Sequence, residues 1–120
     1  MSKVLVADDA SFMRMIIRRI IEKEGHEVIG EANNGIVCVE RYKELMPDFV
    51  TLDITMPEMD GITTLKSLLE YDPKANVVMI SALGEEHLIR EAIAIGAKNF
   101  IIKPFQEAQV VTVLRTLNLA

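Results

Sequence analysis

The stretch Phe49-Val50-Thr51-Leu52-Asp53 carries the pattern that decides the fold: a short, largely apolar run that stops at an acidic residue. Comparable apolar runs occupy residues 4–7, 28–30, 77–80 and 100–102. Most of them lack the alternation of apolar and polar residues that marks a half-exposed strand, so they are typical of parallel strands covered on both faces. We predict five strands, of which the second, flanked by Glu27 and Glu31, lies at an edge of the sheet.

The segments between the runs have the periodicity of amphipathic helices. We predict helices over residues 11–24, 35–46, 61–71, 85–95 and 106–118. The apolar side chains expected to face the core include Phe12, Ile17, Ile21, Tyr42, Met46, Leu65, Leu68, Ile89, Ala92, Ile93, Val110 and Leu114. Arg14, Arg18 and Arg19 are expected to lie in solvent on the opposite side of the first helix. Five alternating strand–helix units predict an α/β fold with a parallel sheet, helices on both faces and right-handed crossovers.

Length and composition narrow the class of protein. The chain has 120 residues, 50% of them hydrophobic and 26% charged, so residues 1–120 are expected to form one globular domain. The single cysteine, Cys38, excludes an internal disulfide. A net charge of -5 disfavours binding to nucleic acid or to an anionic membrane. Since no apolar run has the length of a membrane span and the first residues are unlike a signal peptide, we expect a cytoplasmic protein.

Polar residues collect where the predicted strands end, which is where open α/β sheets bind their ligands. Asp8 and Asp9 follow the first run, Asp53 the third, Ser81 the fourth and Lys103 the fifth. Each has an ordinary explanation alone: Asp9 and Ser81 could cap helices, Asp53 could belong to a turn and Lys103 could be solvated. Their joint occurrence at equivalent strand ends favours a site.

The chemistry of such a site follows from its charge. Two carboxylates 4 Å apart repel by about 4 kcal/mol at an effective dielectric constant near 20, which Lys103 cannot offset alone. A hard divalent cation can offset this repulsion. A set of oxygen ligands without histidine or cysteine favours Mg²⁺. Lys103 and Ser81 would then meet the oxygens of a phosphoryl group. One carboxylate could act as the nucleophile and form an acyl phosphate.

At this point the residues match a known family. The sequence resembles the receiver domain of two-component response regulators along its full length, on residues 6–9, 52–61, 80–82, 96–97 and 102–105, which read VADD, LDITMPEMDG, ISA, GA and IKPF. Within that family, residues 8–14 make it most similar to the stand-alone regulators of chemotaxis. The resemblance implies a doubly wound, flavodoxin-like sheet with strand order 2-1-3-4-5.

The resemblance also implies roles for the acidic residues. Asp53 would be the phospho-acceptor. Asp9, Asp53 and the main-chain carbonyl of Thr55 would bind Mg²⁺ directly, and Asp8 would act through water.

Further roles implied by the resemblance concern the phosphoryl group and the switch. Ser81 and Lys103 would contact the phosphoryl group, the Lys103–Pro104 peptide bond would be cis, and Phe100 would occupy the position of the switch aromatic residue. Phosphorylation would bias a two-state equilibrium on the face made by the fourth helix, fifth strand and fifth helix.

Two departures from the family pattern matter. The switch aromatic is often tyrosine, and Phe100 has no hydroxyl; a plain core phenylalanine is an equally good interpretation. Leu83, two residues after Ser81, replaces a residue that is commonly polar. Together with Thr55 it would flank the route of water to the phosphorus atom, so we expect Leu83 to slow self-dephosphorylation.

The expected function is a phosphorylation-activated signalling switch that catalyses only its own phosphorylation and dephosphorylation. A histidine kinase would be the phosphodonor, and a flagellar switch protein, or another protein target, would bind through the face described above. A phosphatase is a further expected partner, and the chain is expected to be a monomer. With no residues left for an output domain, output would be by protein contact.

Other interpretations stay open at this stage. A stand-alone intermediate of a multi-step phosphorelay would use the same site, and a receiver cut from a longer regulator would look similar. A Mg²⁺-dependent phosphohydrolase with an aspartyl nucleophile is disfavoured, because Thr55 stands where a general acid is needed. A docking module that is never phosphorylated is disfavoured by the complete set of site residues.

Overall fold

The computed structural model describes residues 2–117, in which five strands alternate with five helices. The elements are β1 (Lys3–Ala7), α1 (Ser11–Lys23), β2 (Glu27–Ala32), α2 (Gly35–Leu45), β3 (Phe49–Asp53), α3 (Gly61–Tyr71), β4 (Val77–Ala82), α4 (Glu86–Ile95), β5 (Asn99–Lys103) and α5 (Glu107–Thr116). All predicted elements are present with ends shifted by no more than about two residues. The predicted end of the last helix at residue 118 lies outside the described residues. Within those residues, no helix has both the length and the apolar character needed to cross a membrane.

The five strands form one parallel sheet of order β2-β1-β3-β4-β5, which confirms the predicted fold class and strand order. Strand β3 lies in the middle, where Leu52 pairs with Ala7 of β1 and with Met79 of β4. Strand β2 is an edge strand, as Glu27 and Glu31 indicated. Because parallel strands all end at the same edge, the residues that follow β1, β3, β4 and β5 meet there.

Each face of the sheet carries its own apolar core. Leu5 and Ala7 of β1 belong to the core that α2, α3 and α4 cover. Val4 and Val6 of the same strand point the other way, into the core that α1 and α5 cover. Successive side chains of a strand face opposite sides, so a strand covered on both sides must be apolar throughout. This is the physical basis of the unbroken apolar runs in the sequence.

Three side chains predicted to be buried are exposed. Phe12, Met46 and Ile93 have exposed fractions of 66%, 51% and 42%. Phe12 lies in the first turn of α1. Met46 follows the last residue of α2 in a left-handed conformation with φ 44°, so the helical period no longer sets its direction. Ile93 lines a surface groove of about 520 Å³ between α4 and β5.

Gly61 holds α3 close to the end of β3. Its main-chain nitrogen donates a hydrogen bond to the Ile54 carbonyl at 2.7 Å. A Cβ atom at this position would lie 2.4 Å from the Asp53 carbonyl oxygen and 2.5 Å from Ile54 Cα. Only glycine fits such a close approach of two backbones, so Gly61 helps to position the segment that carries Asp53.

Gly61→Ala should therefore lower the free energy of unfolding by about 1–3 kcal/mol, because backbone atoms must move to admit the methyl group. Gly30→Ala is the matched control, since its Cβ would meet the Leu45 side-chain tip, Cδ1, at 2.6 Å. That tip can rotate away, so we expect a smaller loss. Urea unfolding of both variants measures the difference, and an equal loss would contradict the close-approach argument.

Candidate functional site

An acidic cluster lies at the edge of the sheet where β1 and β3 end. Asp8, Asp9 and Asp53 each present a carboxylate oxygen within 4.8 Å of the others. Asp8 and Asp53 are buried, and Asp9 is exposed. Lys103, at the end of β5, places its Nζ 3.1 Å from Asp8 Oδ2 and 3.4 Å from Asp53 Oδ2. The structure thus brings together four of the side chains that the sequence singled out, with one cation among three acids.

The turn between β1 and α1 fixes Asp8 through its backbone and its side chain. Its main-chain nitrogen donates to the Ala32 carbonyl at 3.0 Å, and its Oδ1 accepts from the Ala10 nitrogen at 2.9 Å. Neither Asp9 nor Ser81 caps a helix, because the N-cap residues of α1 and α4 are Ala10 and Glu85. The ordinary capping explanation of these two residues is therefore wrong.

Burial and mutual repulsion shape the protonation of the cluster. Burial, and after it the negative charge of Asp8, raises the pKa of Asp53 to about 6, although the Lys103 ammonium and the Thr55 main-chain N–H favour the ionised form. Burial disfavours the ammonium of Lys103, but the carboxylates of Asp53 and Asp8 outweigh that effect and raise its pKa. One lysine does not neutralise three carboxylates, so this acidic pocket is suited to a cation with oxygen ligands.

Ser81 is completely buried at the end of β4, next to the acidic cluster in the sheet. Among the described residues its hydroxyl has no hydrogen-bond partner. A buried hydroxyl left unpaired costs about 1–3 kcal/mol, so its presence needs an explanation. At the ligand-binding edge of the sheet, this group is free to donate to a bound anion.

Thr55 links the loop after β3 to the loop after β4. Its main-chain nitrogen donates to Asp53 Oδ1 at 3.3 Å, and its hydroxyl donates to Glu85 Oε2 at 2.9 Å. The other carboxylate oxygen of Glu85 accepts from the Ala82 nitrogen at 2.7 Å. No pattern in the sequence indicates this bridge, since a glutamate near the start of a helix is usually explained by solvation and by the helix dipole.

The remaining predicted residues surround the cluster. Phe100 lies on β5, three residues before Lys103, and is 38% exposed, so the plain core interpretation of this residue is wrong. Leu83 lies in the loop between β4 and α4 and is 70% exposed. The Lys103–Pro104 peptide bond is cis.

Arg14 is a residue beside the acidic cluster that the sequence pattern misplaced. It was expected in solvent, but its side chain is only 18% exposed. Its guanidinium donates to the Asp8 carbonyl and to Glu31 of β2. Helical periodicity alone could not reveal this, because the acceptors belong to a turn and to an edge strand.

Comparison with known proteins is consistent with this geometry. Residues 4–115 match the response regulator receiver domain. The chemotaxis protein CheY of Thermotoga maritima is 53% identical over 116 residues, which cover 97% of each chain. The CheY of Bacillus subtilis is 52% identical over 117 residues, which cover 97% of this chain and 98% of that one. A chain in the crystal structure of the CheX–CheY–BeF3–Mg complex of Borrelia burgdorferi has 43% identity and a TM-score of 0.91, covering 95% of this chain and 87% of that one.

Fold, acidic cluster and sequence similarity together define a class, and the chain belongs to the response regulator receiver domain family. Within that family it is a signalling protein of the CheY type. It is a response regulator switch that phosphorylation activates.

Replacing the Asp53 carboxylate by a neutral amide should stabilise the metal-free protein at pH 7. Because the pKa of Asp53 is raised from 3.8 to about 6, the folded state binds the proton more tightly than the unfolded state, and this group lowers stability as the pH rises through that window. In EDTA, Asp53→Asn should raise the free energy of unfolding by about 1–3 kcal/mol at pH 7 and have little effect at pH 4.

Glu91→Gln, which neutralises an exposed acid on α4, is the matched control and should change stability by less than about 0.5 kcal/mol. Chemical denaturation at the two pH values measures both variants. A loss of stability in Asp53→Asn at pH 7 would show that the pairing of Asp53 with Lys103 outweighs the burial of its charge.

Proposed function

We propose that residues 1–120 constitute one receiver domain in which Asp53 accepts a phosphoryl group from a histidine kinase in a Mg²⁺-dependent reaction. The observation that carries this proposal is the buried pair Asp8 and Asp53, both in contact with the Lys103 ammonium, together with the exposed Asp9. The similarity to chemotaxis proteins, which covers nearly the whole chain, supports the same assignment.

Three oxygen ligands would hold Mg²⁺ directly: the carboxylates of Asp9 and Asp53 and the main-chain carbonyl of Thr55. Asp8 would act through a water molecule. The donor set fits this metal, because carboxylate oxygens within 4.8 Å of one another suit a small, hard dication better than a soft one. When bound, Mg²⁺ supplies positive charge that offsets the oxygens of the transferred phosphoryl group.

The transfer itself is a displacement at phosphorus. A carboxylate oxygen of Asp53 attacks the phosphorus of the phosphohistidine, an O–P bond forms, and the P–N bond breaks with its electron pair going to the histidine nitrogen. Lys103 Nζ, at 3.4 Å from Asp53 Oδ2, can turn its ion pair toward a phosphoryl oxygen. The unpaired hydroxyl of Ser81 would donate to another.

Output would use the face formed by α4, β5 and α5. Phe100 lines two grooves there, one beside Ile89 and Ile93 of α4 and one beside Val113 of α5. Phosphorylation would bias the equilibrium between two arrangements of this face, with Phe100 as its switch residue. We propose a flagellar switch protein as target, a phosphatase as a further partner, and a monomer acting in the cytoplasm.

The acceptor assignment has a direct chemical test. With acetyl phosphate and Mg²⁺, the wild-type protein should become phosphorylated, and Asp53→Asn should not, because an amide oxygen is too weak a nucleophile to form the acyl phosphate. Asp60→Asn is the matched control: it neutralises another acid of the same loop, and asparagine can keep the cap that Asp60 provides to α3. Intact-mass spectrometry reads out the labelling, and undiminished phosphorylation of Asp53→Asn at another residue would refute the assignment.

The lifetime of the acyl phosphate tests the role of Leu83. Leu83→Glu replaces an apolar group beside the proposed path of water by a hydrophilic one, and it should shorten the phosphoryl half-life by about threefold or more, which corresponds to a barrier lower by about 0.7 kcal/mol. The side chain is 70% exposed, so the fold should tolerate the change. Leu83→Met, which keeps an apolar side chain of similar size, is the control and should leave the half-life unchanged. An equal or longer half-life in Leu83→Glu would rule out a shielding role.

A further inference from the structure

Arg14 makes two contacts that join the acidic cluster to the edge of the sheet. Its Nη1 donates to the main-chain carbonyl of Asp8 at 2.6 Å. Its Nε donates to Glu31 Oε1 at 2.9 Å, near the end of β2. Arg18, one helical turn later, donates to the other carboxylate oxygen of Glu31 and does not contact Asp8 in the described residues. One guanidinium is thereby fixed by two acceptors in a rigid, planar fork.

The bond to the Asp8 carbonyl has a geometric consequence for Asp9. The carbonyl of Asp8 and the nitrogen of Asp9 belong to one planar peptide unit, so holding that carbonyl fixes the plane between the two acids. Among residues 2–117, no hydrogen bond or ion pair holds the Asp9 carboxylate itself. The direction in which Asp9 points therefore depends on this backbone, which Arg14 holds on one side and the Asp8–Ala32 hydrogen bond on the other.

We propose that Arg14 is a positioning residue of the metal site: it holds the peptide plane between Asp8 and Asp9 so that both carboxylates face the cation. This inference rests on the proposed Mg²⁺ site. Groups that contact the metal ligands, and orient them without binding the metal, typically contribute 10- to 100-fold to metal affinity. Arg14 acts on the backbone of the ligands and not on their carboxylates, so we expect a smaller effect, about threefold to tenfold in the dissociation constant.

The test separates positioning from simple electrostatics. Arg14→Met keeps a long, helix-compatible side chain but removes the donors. If Arg14 acted only through its charge, removing a cation near the acids would strengthen Mg²⁺ binding. Positioning predicts the opposite: the dissociation constant for Mg²⁺ rises by about threefold to tenfold. Arg18→Met is the matched control, because it removes the same charge from the same helix and also loses a contact to Glu31.

The dissociation constant is measured by following amide chemical shifts during MgCl2 titrations at constant ionic strength. We expect weaker binding in Arg14→Met, wild-type or slightly tighter binding in Arg18→Met, and an intermediate value in Arg14→Lys, whose ammonium can donate to only part of the acceptor set. Should Arg14→Met fail to fold, the pair Arg14→Lys and Arg18→Lys gives the same comparison with all charges kept. Of these two variants, only Arg14→Lys should then weaken Mg²⁺ binding.

The outcomes distinguish this inference from the proposed function. If the wild-type protein shows no saturable response to Mg²⁺, the proposed metal site fails. If the wild type binds Mg²⁺ and Arg14→Met binds it equally well or more tightly, or if both methionine variants weaken binding to the same extent, the positioning role alone is overturned.

Discussion

The carboxylates of Asp8 and Asp53 lie buried beside each other, and both contact the same ammonium group, that of Lys103. Burying charged groups costs several kcal/mol for each ion, and well-packed apolar residues at the same positions are often at least as stable. Stability of the fold therefore does not account for these charges, and the raised pKa of Asp53 shows that their repulsion is only partly relieved. The arrangement becomes favourable when further positive charge enters the pocket, which makes it receptive to a cation and, through the cation, to a phosphoryl group.

The order of the strands creates this proximity. Strands β1 and β3 are neighbours although a helix, an edge strand and a second helix separate them along the chain. Asp8, which follows β1, and Asp53, which ends β3, therefore lie at adjacent strand ends. Lys103 ends β5, two strands from β3, which corresponds to about 10 Å at the usual spacing between strands. Its long side chain must reach across the end of β4, where the chain has the small residues Ser81 and Ala82. Small side chains at this point leave the edge of the sheet open for the lysine and for a ligand.

The sequence predicted correctly which strands are buried on both faces of the sheet. The unbroken apolar run in β1 indicated a strand covered on both sides, because Val4 and Leu5 face different cores. The exposures of Phe12, Met46 and Ile93 were predicted wrongly. Helical periodicity gives the direction of a side chain but not whether a neighbouring surface covers it. It also does not show where the helix ends, which is why Met46, after the last residue of α2, was misplaced. The order of the strands came from the family resemblance, since spacing alone does not determine which strands pair.

The candidate site likewise has residues that the sequence predicted and contacts that it did not. Its acids, its hydroxyl and its lysine could be found from the sequence because each directly follows or ends a strand, and the ends of parallel strands must converge. The contacts of Arg14 with Asp8 and of Thr55 with Glu85 could not be found in this way. Each joins a loop to another element, and the conformation of a loop depends on tertiary packing, which leaves no periodic signal in the sequence.

The contact between Thr55 and Glu85 joins the loop after Asp53 to the start of α4. Glu85 is the N-cap residue of α4, and its carboxylate accepts from Thr55, two residues after Asp53, and from the nitrogen of Ala82, the neighbour of Ser81. A displacement of Ser81 toward a phosphoryl group would move Ala82 with it and strain the bonds to Glu85. The first turn of α4 would then have to adjust, and residues of this helix line the groove beside Phe100. The hydrogen bonds that hold the loop after β3 thus connect Asp53 to the first turn of α4, with donor–acceptor distances of 3.3, 2.9 and 2.7 Å.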